Sequence, residues 1–217
     1  MSDFHEKIID LIDSHKKISV RQKQYETAGN AFPPIEVLNE LRYALRAIIK
    51  LLEQASYSHL SSDEDMDKFN ASCQEASHAF RNAHHDLVDG SLIDFSMLMD
   101  NISAEYRLAT VNILGQKRLE ILEFINKVEE SIAASRGDRT NIEPIYDEDI
   151  YGKWFDKILE YYKFVDQTAL PEIIKEHEHL KQKELGENRK SRTNLIIGGI
   201  VGFLSGIAGT LLIGIFL

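Results

Sequence analysis

The last 23 residues, Leu195 to Leu217, read LIIGGIVGFLSGIAGTLLIGIFL and carry no charge. As an α-helix they would extend about 35 Å at 1.5 Å per residue, against a hydrocarbon core about 30 Å thick. Fourteen of them are Leu, Ile, Val or Phe, and a buried helix of a soluble domain rarely runs so far without a charge. The segment is predicted to span a membrane. Within it Gly198, Gly202, Gly206, Thr210 and Gly214 recur at every fourth residue. At 100° per residue a step of four drifts by only about 40°, so these small side chains form one winding groove. Such a groove lets a second lipid-embedded helix approach closely. A single span encloses no pore, so the expectation is a homo-oligomer, a tetramer or larger if the helices surround a channel.

Charge orients the chain. All 25 Lys+Arg and all 35 Asp+Glu lie before residue 195. Residues 181–192 hold Lys181, Lys183, Arg189, Lys190 and Arg192 against Glu184 and Glu187, whereas residues 1–180 carry 20 basic and 33 acidic side chains. Basic residues beside a span stay cytoplasmic, which predicts a single-pass tail anchor with its body in the cytosol and the lipid bilayer as a partner. The opening MSDFHEKIID has no basic and apolar run of the signal-peptide kind. One cysteine, Cys73, excludes an internal disulfide framework and a cysteine zinc site. The acidic body argues against duplex DNA as a partner, because that needs a broad basic face. The organisation expected is a helical body over residues 1–180, a basic juxtamembrane segment over 181–194 and the span over 195–217.

The body holds only six glycines in 194 residues, too few turn formers for a sandwich, barrel or Rossmann domain. It reads as all-α, a bundle of six to seven helices. Phe4, Ile8, Leu11, Ile18 and Tyr25 mark a first helix ending near Gly29. Leu38, Leu41, Leu45, Ile48 and Leu52 form the expected buried stripe of a second, started by Pro33-Pro34. Ser61 and Glu64 suggest a capping box for a third, which carries Phe69, Cys73, Ala76, Phe80, Ala83 and Leu87 and is expected to end at Asp89-Gly90. A short helix over Ile93–Asn101 and a long one from Ser103 to Ser135, stopped by Gly137, follow. Arg136 to Asp149 read as the main loop, and an aromatic helix holds Trp154, Phe155, Tyr161, Tyr162 and Phe164. Pro171 opens a polar helix, charged nearly all round, that bridges body and membrane.

Two groups could carry chemistry. His78, Arg81, His85 and Asp89 follow helical steps of three and four, and an arginine beside histidines can hold a phosphate. Arg42, Arg46 and Lys50 form a basic line on the second helix. If the two helices lie side by side, Arg42, Arg46, Lys50, Arg81 and His85 could surround one anion, with Tyr43 stacking on a nucleotide or short single strand. Solvated helix faces are the plain alternative. Glu75-Ala-Ser-His78 has the spacing of one half of a di-iron bundle motif, which needs a second half and two further core glutamates. Glu176-His-Glu-His179 places its histidines two apart, on different helix faces. No phosphate-loop, nucleophile-elbow or kinase motif is present, so no enzyme, metal or cofactor is expected.

The stretches VLNELRYALRAIIKLLE and AFRNAHHDLVDGSLIDF resemble helical, HEPN-like domains of bacterial anti-phage proteins. Joined to a C-terminal span, they resemble transmembrane effectors of such systems, the Hailong type above all. That resemblance implies an inner-membrane effector that oligomerises and permeabilises the membrane during infection. It further implies a partner nucleotidyltransferase whose DNA oligomer holds the effector inactive, with Arg42, Arg46, Arg81 and His85 as phosphate contacts. HEPN ribonucleases separate their Arg and His more widely than Arg81 from His84 and His85 here, so a tethered RNase is an alternative that this spacing disfavours. A passive tail-anchored adaptor is the other alternative.

Overall fold

A computed structural model describes residues 2–29, 32–57, 63–137 and 153–215; the side chains of residues 2–4, 136–137 and 200–215 fall outside that description. The fold is all-α, with no strand among the described residues. The helices are α1 (Ser2–Gly29), α2 (Ile35–Tyr57), α3 (Asp63–Glu105), α4 (Arg107–Leu114), α5 (Gln116–Gly137) and α6 (Phe155–Lys163). A π-helical turn over Phe164–Ala169 then leads without a break into α7 (Leu170–Ile215).

The 43-residue α3 is the spine, about 64 Å long at 1.5 Å per residue. Its buried positions over the first half mix Phe69 and Phe80 with the small Ser72, Cys73, Ala76, Ala79 and Ala83, and α2 lies against this part of the helix. Lys50 Nζ meets Glu75 at 2.8 Å, and Asn82 Nδ2 donates to Glu40 at 3.4 Å. Those pairs make α2 and α3 antiparallel. Along α1 the register runs the other way: Lys7 Nζ donates to Asn70 Oδ1 at 2.8 Å, and the Tyr25 hydroxyl donates to Asp94. α1 and α3 are therefore parallel. α6 closes the bundle, with Phe95 fully buried between Tyr161 and Tyr162 at centroid distances of 6.4 and 6.0 Å. Arg21 reaches across from α1 to Asp156 and lies 5.1 Å over the Phe155 ring.

The third helix does not end at Gly90. It continues to Glu105 and absorbs the short helix expected over Ile93–Asn101. Gly90 serves instead as a point of close approach: a Cβ there would lie 2.3 Å from Cγ of Pro34, the proline that precedes α2. Helix propensity tolerates one such glycine for a cost of about 1 kcal/mol, and the packing of α2 onto α3 supplies the return.

The long helix expected from Ser103 to Ser135 is broken twice. At Tyr106 the backbone leaves helical values (φ −122°, ψ 38°), though its N–H still donates to the Ile102 carbonyl at 2.9 Å, which also accepts from Thr110 Oγ1 at 3.2 Å. At Gly115 the chain takes φ 48°, ψ −127°, a conformation that favours glycine. α5 is described as far as Gly137, and the residues that would show its stop lie outside the described residues.

The second helix buries a different face from the one its sequence suggests. Val37, Ala44, Ala47 and Leu51 are at most 2% exposed, whereas Leu38, Leu45 and Leu52 are 43, 57 and 65% exposed and Leu41 and Ile48 half-buried. Ala44 and Ala47 on α2, like Ala76, Ala79 and Ala83 on α3, are buried, and small side chains let packed helices approach closely where leucines would not.

Pro171 sits in the first turn of α7. A proline there has no N–H to give and its ring crowds the carbonyl four residues back. The widened π turn before it relieves both, and Gln167 within it donates to the Ala28 carbonyl at 3.4 Å. Asn112 to Glu176 (3.0 Å) and Tyr106 against His177 (5.2 Å between rings) fix α4 to the start of α7. Leu180 is the last residue of α7 packed on the core, and residues 181–199 are exposed all round. This polar stretch therefore leaves the core as a helix that packs on nothing described. The capping residue Ser61, the acidic run Asp147–Asp149 and most of the expected loop lie outside the described residues.

Candidate functional site

The five residues expected to surround an anion do not meet in one pocket. Arg42 and Arg46 point outward from α2 and cover the Tyr43 ring, at 5.5 and 6.0 Å from its centroid. Lys50 is engaged by Glu75 at 2.8 Å. Arg81 and His85 are half-buried on α3. None of the five lines any of the principal grooves of the body. The pair Arg42–Arg46 with Tyr43 remains a basic and aromatic surface, and among the described residues neither arginine has a carboxylate partner.

The metal motifs are otherwise occupied. Glu75 holds Lys50, and Glu176 faces Asn112 and, at 3.6 Å, His179. Among the described residues no group of three or more His, Cys, Asp or Glu is arranged to hold a metal ion.

What the structure assembles instead is an apolar groove of about 510 Å³ between α1 and α2. Ile8 and Ile12 form one wall, Leu41, Leu45 and Ile48 the other, and Phe80 of α3 the floor, with His15 set edge-on to Phe80 at 5.8 Å. The wall on α2 is the leucine stripe that the helix leaves unburied. Arg42 and Arg46 are exposed on the same helix, within one turn of Leu45.

A second hollow, about 520 Å³, lies where α1 ends and α2 begins, against the middle of α3. Its carboxylates are Glu36, Asp86, Asp89 and Asp94, and Phe32 stands 91% exposed at its edge. Ile93, also exposed, lines it. At its base the Tyr25 phenol is held well above its ordinary pKa, first by burial and then by the bond to Asp94. Tyr162 is raised for the same first reason, with the charges of Asp166 and Asp94 adding.

Sequence reasoning missed both surfaces. The signal for the groove was present: Leu38, Leu41, Leu45, Ile48 and Leu52 alternate steps of three and four, the narrow seam of a helix that pairs with another helix. The neighbouring arc of alanines was the alternative face.

Beyond Leu180, α7 carries the stalk and then Gly198, where a Cβ would meet nothing within 4 Å. Gly202, Gly206, Thr210 and Gly214 lie on the same helix, but their surroundings are outside the described residues. Among the described residues no helix is long and apolar enough to cross a membrane; of the 23-residue uncharged segment, residues 216–217 and the side chains from residue 200 onward fall outside that description. No protein-family model, curated protein or solved structure matches this chain.

Proposed function

We propose that this chain is a membrane-anchored effector: residues 195–217 cross the inner membrane, copies associate through the Gly198–Gly214 groove, and the assembly permeabilises the bilayer. The observation that carries the reading is the unbroken course of α7, whose bounds are Leu170–Ile215. One helix links the packed core to the uncharged segment. From Leu180 to Leu195 it rises about 22 Å at 1.5 Å per residue, so the body stands clear of the headgroups on a rigid, basic stalk. A rigid stalk transmits a rotation or separation of the bodies to the spans, whereas a flexible linker would not.

In this reading the body is the gate. The Arg42–Tyr43–Arg46 surface suits a phosphate and a base, by charge and stacking, and a nucleotide or short DNA oligomer made by a partner nucleotidyltransferase is the ligand class that fits the anti-phage resemblance. The experiment is membrane depolarisation in cells expressing the full chain, with Gly202→Leu/Gly206→Leu beside it. The expected result is rapid depolarisation by the wild type alone, with both chains in the membrane fraction. Intact membranes in both would reduce the span to a passive tether and overturn the effector reading.

A further inference from the structure

We propose that the foot of the stalk, formed by Arg189, Lys190 and Arg192, is a binding surface for the headgroups of anionic phospholipids. The inference deepens the proposed function and rests on its placing of residues 195–217 in the bilayer.

Height along the helix is the first observation. α7 runs unbroken through this region, so Arg192, Lys190 and Arg189 stand about 4.5, 7.5 and 9 Å above Leu195 at 1.5 Å per residue. The headgroup layer is about 5–7.5 Å deep on each side of the hydrocarbon, within reach of long basic side chains on this one turn. Lys183 and Lys181 stand about 18 and 21 Å up, beyond two Debye lengths of about 8 Å at physiological salt.

The acidic side chains are placed in the opposite sense. Glu187 and Glu184 lie about 12 and 16 Å above Leu195, and no Asp or Glu follows Glu187 in the chain. The acidic body, with 33 acidic against 20 basic side chains over residues 1–180, begins about 22 Å up. A negatively charged surface at the foot of the stalk therefore meets only cations within its screening length.

The three cations are also free to act. Residues 181–199 are exposed, and among the described residues none of Arg189, Lys190 and Arg192 is paired with a carboxylate. At 100° per residue they lie about 140°, 120° and 80° around the helix from the centre of the Gly198–Gly202–Gly206 line. They turn away from the face on which a neighbouring span would pack, and so toward lipid.

The test reconstitutes the full chain in phosphatidylcholine vesicles with a trace of spin-labelled phosphatidylglycerol or spin-labelled phosphatidylcholine. Electron paramagnetic resonance reads the fraction of each labelled lipid that the protein restricts. A basic side chain near an anionic headgroup favours contact by about fivefold, and each singly charged lipid meets about one cation. Phosphatidylglycerol is therefore expected to be preferred about fivefold. Arg189→Gln/Lys190→Gln/Arg192→Gln is expected to abolish the preference and Lys181→Gln/Lys183→Gln to leave it, with circular dichroism checking that both variants are helical. Salt at about 1 M, where the Debye length is about 3 Å, is expected to suppress it in the wild type. Equal restriction of the two lipids, or a preference that follows Lys181 and Lys183, would overturn the proposal and leave the span standing. Competition by glycerol phosphate in solution at matched ionic strength would assign the cations to a free phosphate and overturn it too. Restriction of neither lipid would overturn the span itself, and this inference with it.

Discussion

Replacing Leu45 with alanine and, separately, Ala47 with leucine asks which face of α2 is buried. Leu45 is 57% exposed, whereas Ala47 is 0% exposed against α3. Burying a whole leucine side chain is worth about 1.5–3 kcal/mol, so the two-fifths that is buried here is worth about 1 kcal/mol. Alanine returns a few tenths of that through helix propensity. Leu45→Ala should therefore cost about 0.5–1 kcal/mol, against about 3–5 kcal/mol for a leucine in a packed core. Ala47→Leu adds three carbons where two helices already touch, which costs about 1–3 kcal/mol or more. The assay is urea unfolding followed by circular dichroism, on the full chain in a mild non-ionic detergent. Protein is kept dilute so that any contact between copies does not enter. If Leu45→Ala cost more than about 2.5 kcal/mol while Ala47→Leu were silent, α2 would be turned by roughly 100° and the groove would not exist.

Other outcomes follow from the same packing. Gly115→Ala places a Cβ at φ 48° and should cost about 1–3 kcal/mol by thermal melt, although nothing lies within 4 Å of the added carbon. Tyr25→Phe removes a hydrogen bond to a carboxylate and should cost about 1.5–3 kcal/mol near neutral pH. Because the Tyr25 pKa is raised on folding, the native state holds its proton longer. Its stabilisation is complete below pH 10 and fades above it; stability measured from pH 8 upward should fall less steeply in Tyr25→Phe. Arg42→Ala/Arg46→Ala should weaken binding of a short single-stranded DNA oligomer, and raised salt should weaken the wild type in the same way; unchanged binding in a filter assay would remove that surface from the gate.

How much of this was legible in the sequence depended on whether an arrangement was local. The start of α2 just after Pro33-Pro34 and the core positions of α1 and α3 follow from periodicity and punctuation within single helices. Gly90 did not, because a glycine in a helix reads alike whether it ends the helix or admits a neighbour. Only the approach of Pro34, 56 residues away in sequence, distinguishes the two. The face of α2 failed for a related reason. Hydrophobicity favours burying the leucine stripe, but the face with Val37, Ala44, Ala47 and Leu51 is the one buried, and that choice belongs to the packing of the two helices. The anion site was inferred from two helix faces whose relative rotation the sequence does not encode; Lys50 turned out to face Glu75, and Arg42 and Arg46 to face away.

The claim on which the account turns is that residues 195–217 cross the bilayer, and alkaline extraction of membranes from expressing cells tests it most directly. The wild type should remain in the pellet, and so should Gly202→Leu/Gly206→Leu, which alters the groove and not the hydrophobicity. Ile207→Arg/Leu211→Arg places two charges at mid-span, each costing about 2.5–3.5 kcal/mol to insert, and should be released. Wild-type chain in the supernatant would contradict the account.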